Sequence, residues 1–127
     1  MMNRLTDAMN FQAQALTLRA ERQRLLASNI ANADTPGYQS RDMDFAKALR
    51  DATSPAAADS NQTLTQRTQG ALQNSLTAMT SMDSNTVDMD RERASFADNT
   101  VKYEASLRFI NGNVRTIMDA MKSPNAA

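Results

Sequence analysis

From Met89 to Met121 the chain repeats steps of four and three without a break: Met89, Arg93, Phe96, Thr100, Tyr103, Leu107, Ile110, Val114, Ile117, Met121. Such steps keep one stripe of an α-helix turned toward a partner helix, because 3.5 residues per repeat nearly matches the helical turn. Eight of the ten positions are aliphatic, methionine or aromatic. A strand alternates with period two and cannot carry this pattern. Residues 86–122 are therefore predicted to form a long helix of the coiled-coil type. Asn85 is the expected N-cap, with Asp88 as its capping-box acid. Asp88, Asp90 and Glu92 fall near the positive end of the helix dipole, and Lys122 near the negative end. Gly112 costs about 1 kcal/mol relative to alanine, but Ile110 and Val114 keep the register, so the helix is expected to run through it.

A partner of similar length lies at the other end of the chain. Residues 4–32 contain neither glycine nor proline, and Asn3 or Thr6 can cap the start. At 100° per residue, Leu5, Met9, Leu16, Leu26 and Ile30 fall on one stripe. Ala8, Phe11, Ala15, Leu18 and Leu25 form a second stripe beside it. Asp7, Asn10, Gln14, Glu21, Arg24 and Ser28 are placed opposite, on the solvent side. Two apolar stripes exceed what a single partner helix covers, so this helix is expected to meet two or more neighbours.

Between the two helices the pattern weakens. Residues 43–52 suit a short helix with Phe45 and Leu49 on one face. Residues 53–84 contain Pro55, three successive alanines and many Ser, Asn, Gln and Thr, with Leu64, Leu72 and Leu76 as sparse anchors. This stretch reads as a long loop, partly disordered in the free chain, because so few apolar groups do not offset the entropy of ordering it. The chain thus divides into 1–38 (N-terminal helix and turn), 39–84 (variable middle segment with a short helix) and 85–127 (C-terminal coiled-coil helix). The fold class is all-α, with the terminal helices paired and a polar, partly irregular middle.

Composition narrows the function classes. Only 20 of 127 residues are Leu, Ile, Val or Phe, against 41 Asn, Gln, Ser and Thr. Long thin seams can be built from this, but not a thick core. There is no histidine and no cysteine. That removes a Ser-His-Asp triad, thiolate chemistry, disulfides and zinc ribbons. Fourteen basic residues balance fourteen acidic ones without a basic block, which argues against a nucleic-acid partner. No run approaches the roughly 18 residues that span a bilayer, and no cleavable leader opens the sequence. The expectation is a protein that stays in the cytoplasm or is exported without a cleaved signal peptide. The carboxylates Asp83, Asp88, Asp90 and Glu92 lack a partner nucleophile or base, and a calcium loop starting at Asp83 fails at Val87, Asp88 and Ala94. No catalytic, cofactor-binding or metal-binding residue is assigned.

The first helix is stopped by Ala31-Asn32-Ala33-Asp34-Thr35-Pro36-Gly37-Tyr38. Asn32 tolerates a left-handed conformation at a helix end. Pro36 drives Thr35 out of the helical region, and Pro36-Gly37 suits the centre of a type II turn. The run resembles the Ala-Asn-x-x-Thr-Pro-Gly-Tyr signature of bacterial flagellar rod and hook proteins, and all six specified positions match. A second stretch, Asn85-Thr86-Val87-Asp88-Met89-Asp90-Arg91-Glu92, is similar to the Gly-Asn-Asn-Val-Asp-Leu-Asp-Arg-Glu segment that opens the C-terminal helix of proximal rod subunits. It departs at Ser84, Thr86 and Met89. Hook and distal rod proteins carry large inserted β-domains for which 127 residues leave no room. The resemblance is therefore to the short proximal rod subunits of the flagellar basal body.

That resemblance implies a structural subunit polymerising into a hollow axial drive shaft. The shaft transmits torque for motility and passes exported subunits. Implied partners are copies of the chain, other rod subunits, the membrane-embedded base or export gate reached through an adaptor protein, and the flagellar type III export machinery. The implied location is the periplasm-spanning rod of the basal body. The expected assembly interface sets Leu5, Met9, Leu16, Leu26 and Ile30 against Phe96, Tyr103, Leu107, Ile110, Val114 and Ile117. Asn32, Thr35, Pro36, Gly37 and Tyr38 turn the chain outward.

Three other readings arise from the residues alone. A cytoplasmic helical adaptor or secretion chaperone would be a discrete dimer, with Met79, Met82, Met89, Met118 and Met121 lining an adaptable groove. Arg19, Arg22 and Arg24 suit a membrane-surface patch; their long stems also suit the flanks of an apolar stripe, or ion pairs to a neighbouring subunit.

Overall fold

The computed structural model describes residues 2–55, 61–78 and 88–122. Its elements are α1 (Met2–Ala31), β1 (Arg41–Met43), α2 (Phe45–Thr53), α3 (Leu64–Ser75), β2 (Leu76–Ala78) and α4 (Met89–Lys122). The two long helices form the most extensive pairing in the chain. They run antiparallel: Asn29 of α1 meets Glu92 of α4, and Arg19 and Gln23 meet Asn99. The fold is all-α apart from a two-stranded ribbon, in which Arg41, Asp42 and Met43 pair antiparallel with Ala78, Thr77 and Leu76.

Each helix start has a local cause. Asp44 caps α2 by accepting from the Lys47 N–H at 3.1 Å. Thr63 and Gln66 close a reciprocal capping box on α3: the Gln66 N–H donates to Thr63 Oγ1 (3.2 Å), and the Thr63 N–H donates to Gln66 Oε1 (2.9 Å). Asp88 itself caps α4, its carboxylate accepting from the Arg91 N–H at 3.3 Å. The sequence had placed the cap at Asn85, which lies outside the described residues. Helix α4 continues through Gly112 to Lys122.

The middle segment departs from the expected loop. Residues 64–75 are helical, and Thr68, Ala71 and Ser75 of α3 are buried, as are Ala48 and Ala52 of α2. Small residues let the helices approach closely, so packing here does not need the large apolar side chains whose scarcity suggested disorder. The shared core is Leu18, Met43 and Ala48, with Leu25, Phe45, Leu49 and Leu72 packed against it. Met43, expected in the short helix, sits in β1 instead. The ribbon leads into α2, where the Asp44 N–H donates to Ser75 C=O at 3.1 Å.

Ala15, Leu18 and Leu25 of the second stripe of α1 are thus covered within the chain, whereas Ala8 and Phe11 stay exposed. Gln14, expected on the solvent side, is buried; its amide nitrogen, Nε2, donates to Ala52 C=O at 2.9 Å. That bond satisfies one of the carbonyls left open at the end of α2. Leu18 is fully buried at the centre of this layer, so Leu18→Ala should lower unfolding free energy by about 2–5 kcal/mol, measured by urea titration of the purified chain.

Candidate assembly surface

Two features stand out on this scaffold: a polar node at the signature turn, and an apolar margin along α4.

The node centres on Asn29, which is completely buried. Its Nδ2 donates to Arg41 C=O (2.7 Å) and Glu92 Oε2 (3.2 Å). Its Oδ1 accepts from the Arg41 N–H (3.0 Å) and the Tyr38 hydroxyl (3.1 Å). All four hydrogen-bonding sites of the carboxamide are in use. Toward β1 the amide acts like a short extra strand, satisfying both backbone groups of Arg41. Toward α4 it holds Glu92, which is itself buried. Since the Tyr38 proton is spent on Asn29, the Ser28 hydroxyl 3.1 Å from Tyr38 Oη is the donor of that pair. One residue thereby joins the two sequence signatures, Thr35–Tyr38 and Asp88–Glu92. Sequence reading did not single it out, although an asparagine inside an apolar-periodic helix is a weak helix former in need of another reason to be there.

The turn is closed by a bond from the Tyr38 N–H to Thr35 C=O at 3.2 Å, with Gly37 at φ +75°. That combination is the geometry of a type II turn. Asn32 differs from expectation: among the described residues no non-glycine has a positive φ. It ends α1 through its side chain instead, Nδ2 donating to Ser28 C=O at 2.9 Å and Oδ1 accepting from Thr35 Oγ1 at 3.3 Å. Pro36 is exposed at the tip.

Along α4 the least exposed positions are Met89, Glu92, Ser95, Phe96, Asn99, Thr100, Tyr103, Ser106, Ile110, Asn113 and Ile117. Of the positions in the four-three repeat, Met89, Phe96, Thr100, Tyr103, Ile110 and Ile117 are half-buried. Glu92, Asn99, Ser106 and Asn113 turn inward, while Arg93 is exposed and Leu107 and Val114 remain 38% and 37% exposed. Met118 and Met121 continue this outer line at 54% and 77%. On α1, Leu26 is buried, Met9, Leu16 and Ile30 are half-buried, and Leu5 and Phe11 are exposed. Between the helices lies an open groove of about 500 Å³, lined by Ala20, Gln23, Thr100, Tyr103, Glu104 and Leu107.

The three arginines singled out on α1 have partners within the chain. Arg22 grips Asp42 through Nε at 3.2 Å and Nη2 at 3.4 Å. Arg24 pairs with Glu21 at 2.9 Å. Arg19 lies over the Phe45 ring, 4.1 Å from its centroid; burial, followed by repulsion from Arg22, lowers its guanidinium below the ordinary value. These are not an unpaired basic patch for a membrane surface. On α4 the hydrogen bond from Lys102 keeps the exposed Asp98 carboxyl below its usual value. Asp88 and Glu92 are accounted for by the cap and the node, and Asp83, Met79 and Met82 lie outside the described residues. No group of three or more Asp or Glu able to hold a metal ion occurs among the described residues. None of the described helices is long and apolar enough to cross a membrane.

Residues 9–39, the second half of α1 and the signature turn included, match the family model for flagella basal body rod protein. The chain is 47% identical to the flagellar basal body rod protein FlgB of Escherichia coli (strain K12), over 98% of its own length and the whole of that relative. It is 43% identical to the FlgB of Proteus mirabilis (strain HI4320), covering 96% of this chain and 98% of the relative. It is 42% identical to the FlgB of Salmonella typhimurium, covering 98% of this chain and all of the relative. The chain belongs to the flagellar basal-body rod protein family.

Gly37→Val tests the turn. A Cβ at Gly37 would meet nothing within 4 Å, so the cost is backbone strain alone, of order 1–2 kcal/mol for a side chain at positive φ. Chemical denaturation should register that loss, and amide exchange at Tyr38 should speed up.

Proposed function

We propose that this chain is a structural, non-enzymatic subunit of the proximal rod of the bacterial flagellar basal body. The outer line of α4 is the observation that carries the reading. Thr100, Leu107, Val114 and Met121 recur every seven residues, and Ile110, Ile117 and Met118 lie beside them. This second seam overlaps the one that α1 occupies: Thr100 is held by Gln23, but Leu107, Val114, Met118 and Met121 are left exposed among the described residues. On α1, Ala13, Ala20 and Ala27 also recur at seven, and Ala20 already lines the groove beside Leu107. A small residue on one helix beside a larger apolar one on the other leaves a slot that accepts a further helix. A neighbouring subunit's helix supplies it, and a head-to-tail contact of this kind builds an open helical structure.

In this reading Leu5, Met9, Leu107, Val114, Met118 and Met121 form the contact between subunits, whereas Leu16, Leu26, Ile30, Phe96, Tyr103, Ile110 and Ile117 hold the chain's own helix pair together. Residues 1–38 and 85–127 form the inner layer of the rod and 39–84 the outer, variable one. Asn32, Thr35, Pro36, Gly37 and Tyr38 carry the chain from one layer to the other. Partners are copies of the chain and other rod subunits, with the basal-body base reached through an adaptor. Export runs through the flagellar type III apparatus.

Leu107→Asp separates the two seams. The side chain is already part-exposed in the single chain, so helix content and melting should change little. In the assembly the same charge would be buried unpaired, at a cost of several kcal/mol. The variant should be absent from hook–basal-body preparations, and cells carrying it should not swim in soft agar. Normal swimming with normal incorporation would remove the outer seam as an assembly surface.

A further inference from the structure

The apolar half of the inner seam cannot set its own register. Met89, Phe96, Tyr103, Ile110 and Ile117 are spaced seven residues apart, so sliding α4 by one heptad along α1 presents the same kind of side chain at every step. Something else must choose among these alignments. We propose that the polar layer Asn99–Gln23–Thr100 is the register lock of the helix pair, a pairing-specificity device rather than a source of stability.

The geometry of the layer is reciprocal. Asn99 is completely buried. Its Nδ2 donates to Arg19 C=O at 2.9 Å and to Gln23 Oε1 at 2.8 Å. Gln23 Nε2 then donates to Thr100 Oγ1 at 2.6 Å, and Thr100 passes its own proton to Phe96 C=O at 2.8 Å. One glutamine on α1 brackets two consecutive residues on α4, so the match holds at a single alignment. A slip of one heptad in one direction carries Asn99 from Arg19 and Gln23 to Gln12 and Leu16, and in the other to Leu26 and Ile30. Leucine or isoleucine then stands where Gln23 accepted, and a buried amide is left without that partner. Gln23 would face Ser106–Leu107 or Glu92–Arg93, and neither pair offers the Asn–Thr combination it grips.

The layer also carries a cost that a stability device would avoid. Asn99 Oδ1 is buried and has no hydrogen-bond partner among the described residues. An orphaned acceptor inside a seam lowers stability, whereas one polar residue at a core position of paired helices specifies alignment. Glu92 on Asn29, one heptad earlier on the same inward line, is the second pin. The two pins together give α4 a polar inner line, which turns its apolar line outward. The inference concerns the single chain and does not depend on the assembly reading.

Because the chain has no cysteine, nitroxide labels can be placed uniquely at Ala27→Cys and Arg115→Cys, both exposed, and their separation read by pulsed electron resonance. The otherwise wild-type chain should give one narrow distance population. With the second pin removed by Glu92→Leu, Asn99→Leu should melt no lower than its Glu92→Leu parent and show a second population displaced by about 10 Å, the rise of seven helical residues. Gln23→Leu in the same background, which removes the bracket from the α1 side, should show the same displaced population, and it decides the matter if the Asn99→Leu variant does not fold. Three results overturn the proposal. These are a single unshifted population in the variants, a lower melting temperature without a second population, or multiple populations already present in the wild-type chain.

Discussion

The antiparallel contact between α1 and α4 is what the remainder of the molecule rests on. With so few large aliphatic side chains, the core is small, so α4 must find its burial against α1, while α1 divides its own between α4 and the α2–α3 layer. Everything else is attached to α1 as to a rail. The α2–α3 pair and the ribbon close over Leu18, and the signature turn hangs from Asn29 at the rail's end. The contact is unusual in its inner line, which is half polar. Glu92 and Asn99 occupy positions where an isolated coiled coil would place leucine, and they are held by Asn29, Gln23 and the Arg19 carbonyl.

That arrangement divides labour between two overlapping lines on one helix. Polar groups with directional partners are used inside, where alignment has to be unique. Apolar groups, which are sticky but indifferent to alignment, are left at the margin. A chain built this way has a defined helix pair while apolar side chains stay exposed along α4.

The outer layer shows a different economy. Ala48, Ala52, Ala71, Thr68 and Ser75 bury small surfaces individually, but they allow backbones to approach closely enough for Gln14 to reach across to Ala52 C=O and for Lys47 Nζ to reach Asn74 C=O at 3.1 Å. Caps at Asp44 and Thr63 fix the ends of these short helices. A layer of this sort is stabilised by local hydrogen bonds and close contact rather than by large apolar volume. That is why hydrophobic counting underestimates it, and the Thr63-x-x-Gln66 pattern was the signal in the sequence that counting overlooked.

The sequence by itself determined the two long helices, the four-three repeat, the proline-glycine stop between them and the absence of histidine or thiol chemistry. These follow from periodicity, backbone restriction and residue inventory, which need no partner to be read. The tertiary structure alone decided which of two adjacent lines on α4 faces inward, because Asn99 and Thr100, or Ser106 and Leu107, are neighbours on the helix and both fit a heptad. It alone placed Asn29 and Gln14 inside, since a polar side chain is buried only when the fold brings it complementary groups. Those groups come from residues 12 to 63 positions away: Arg41 and Glu92 for the one, Ala52 and Thr68 for the other. Hydrogen-bond complementarity between distant segments leaves no periodic trace in the chain, and it appears only once the segments meet.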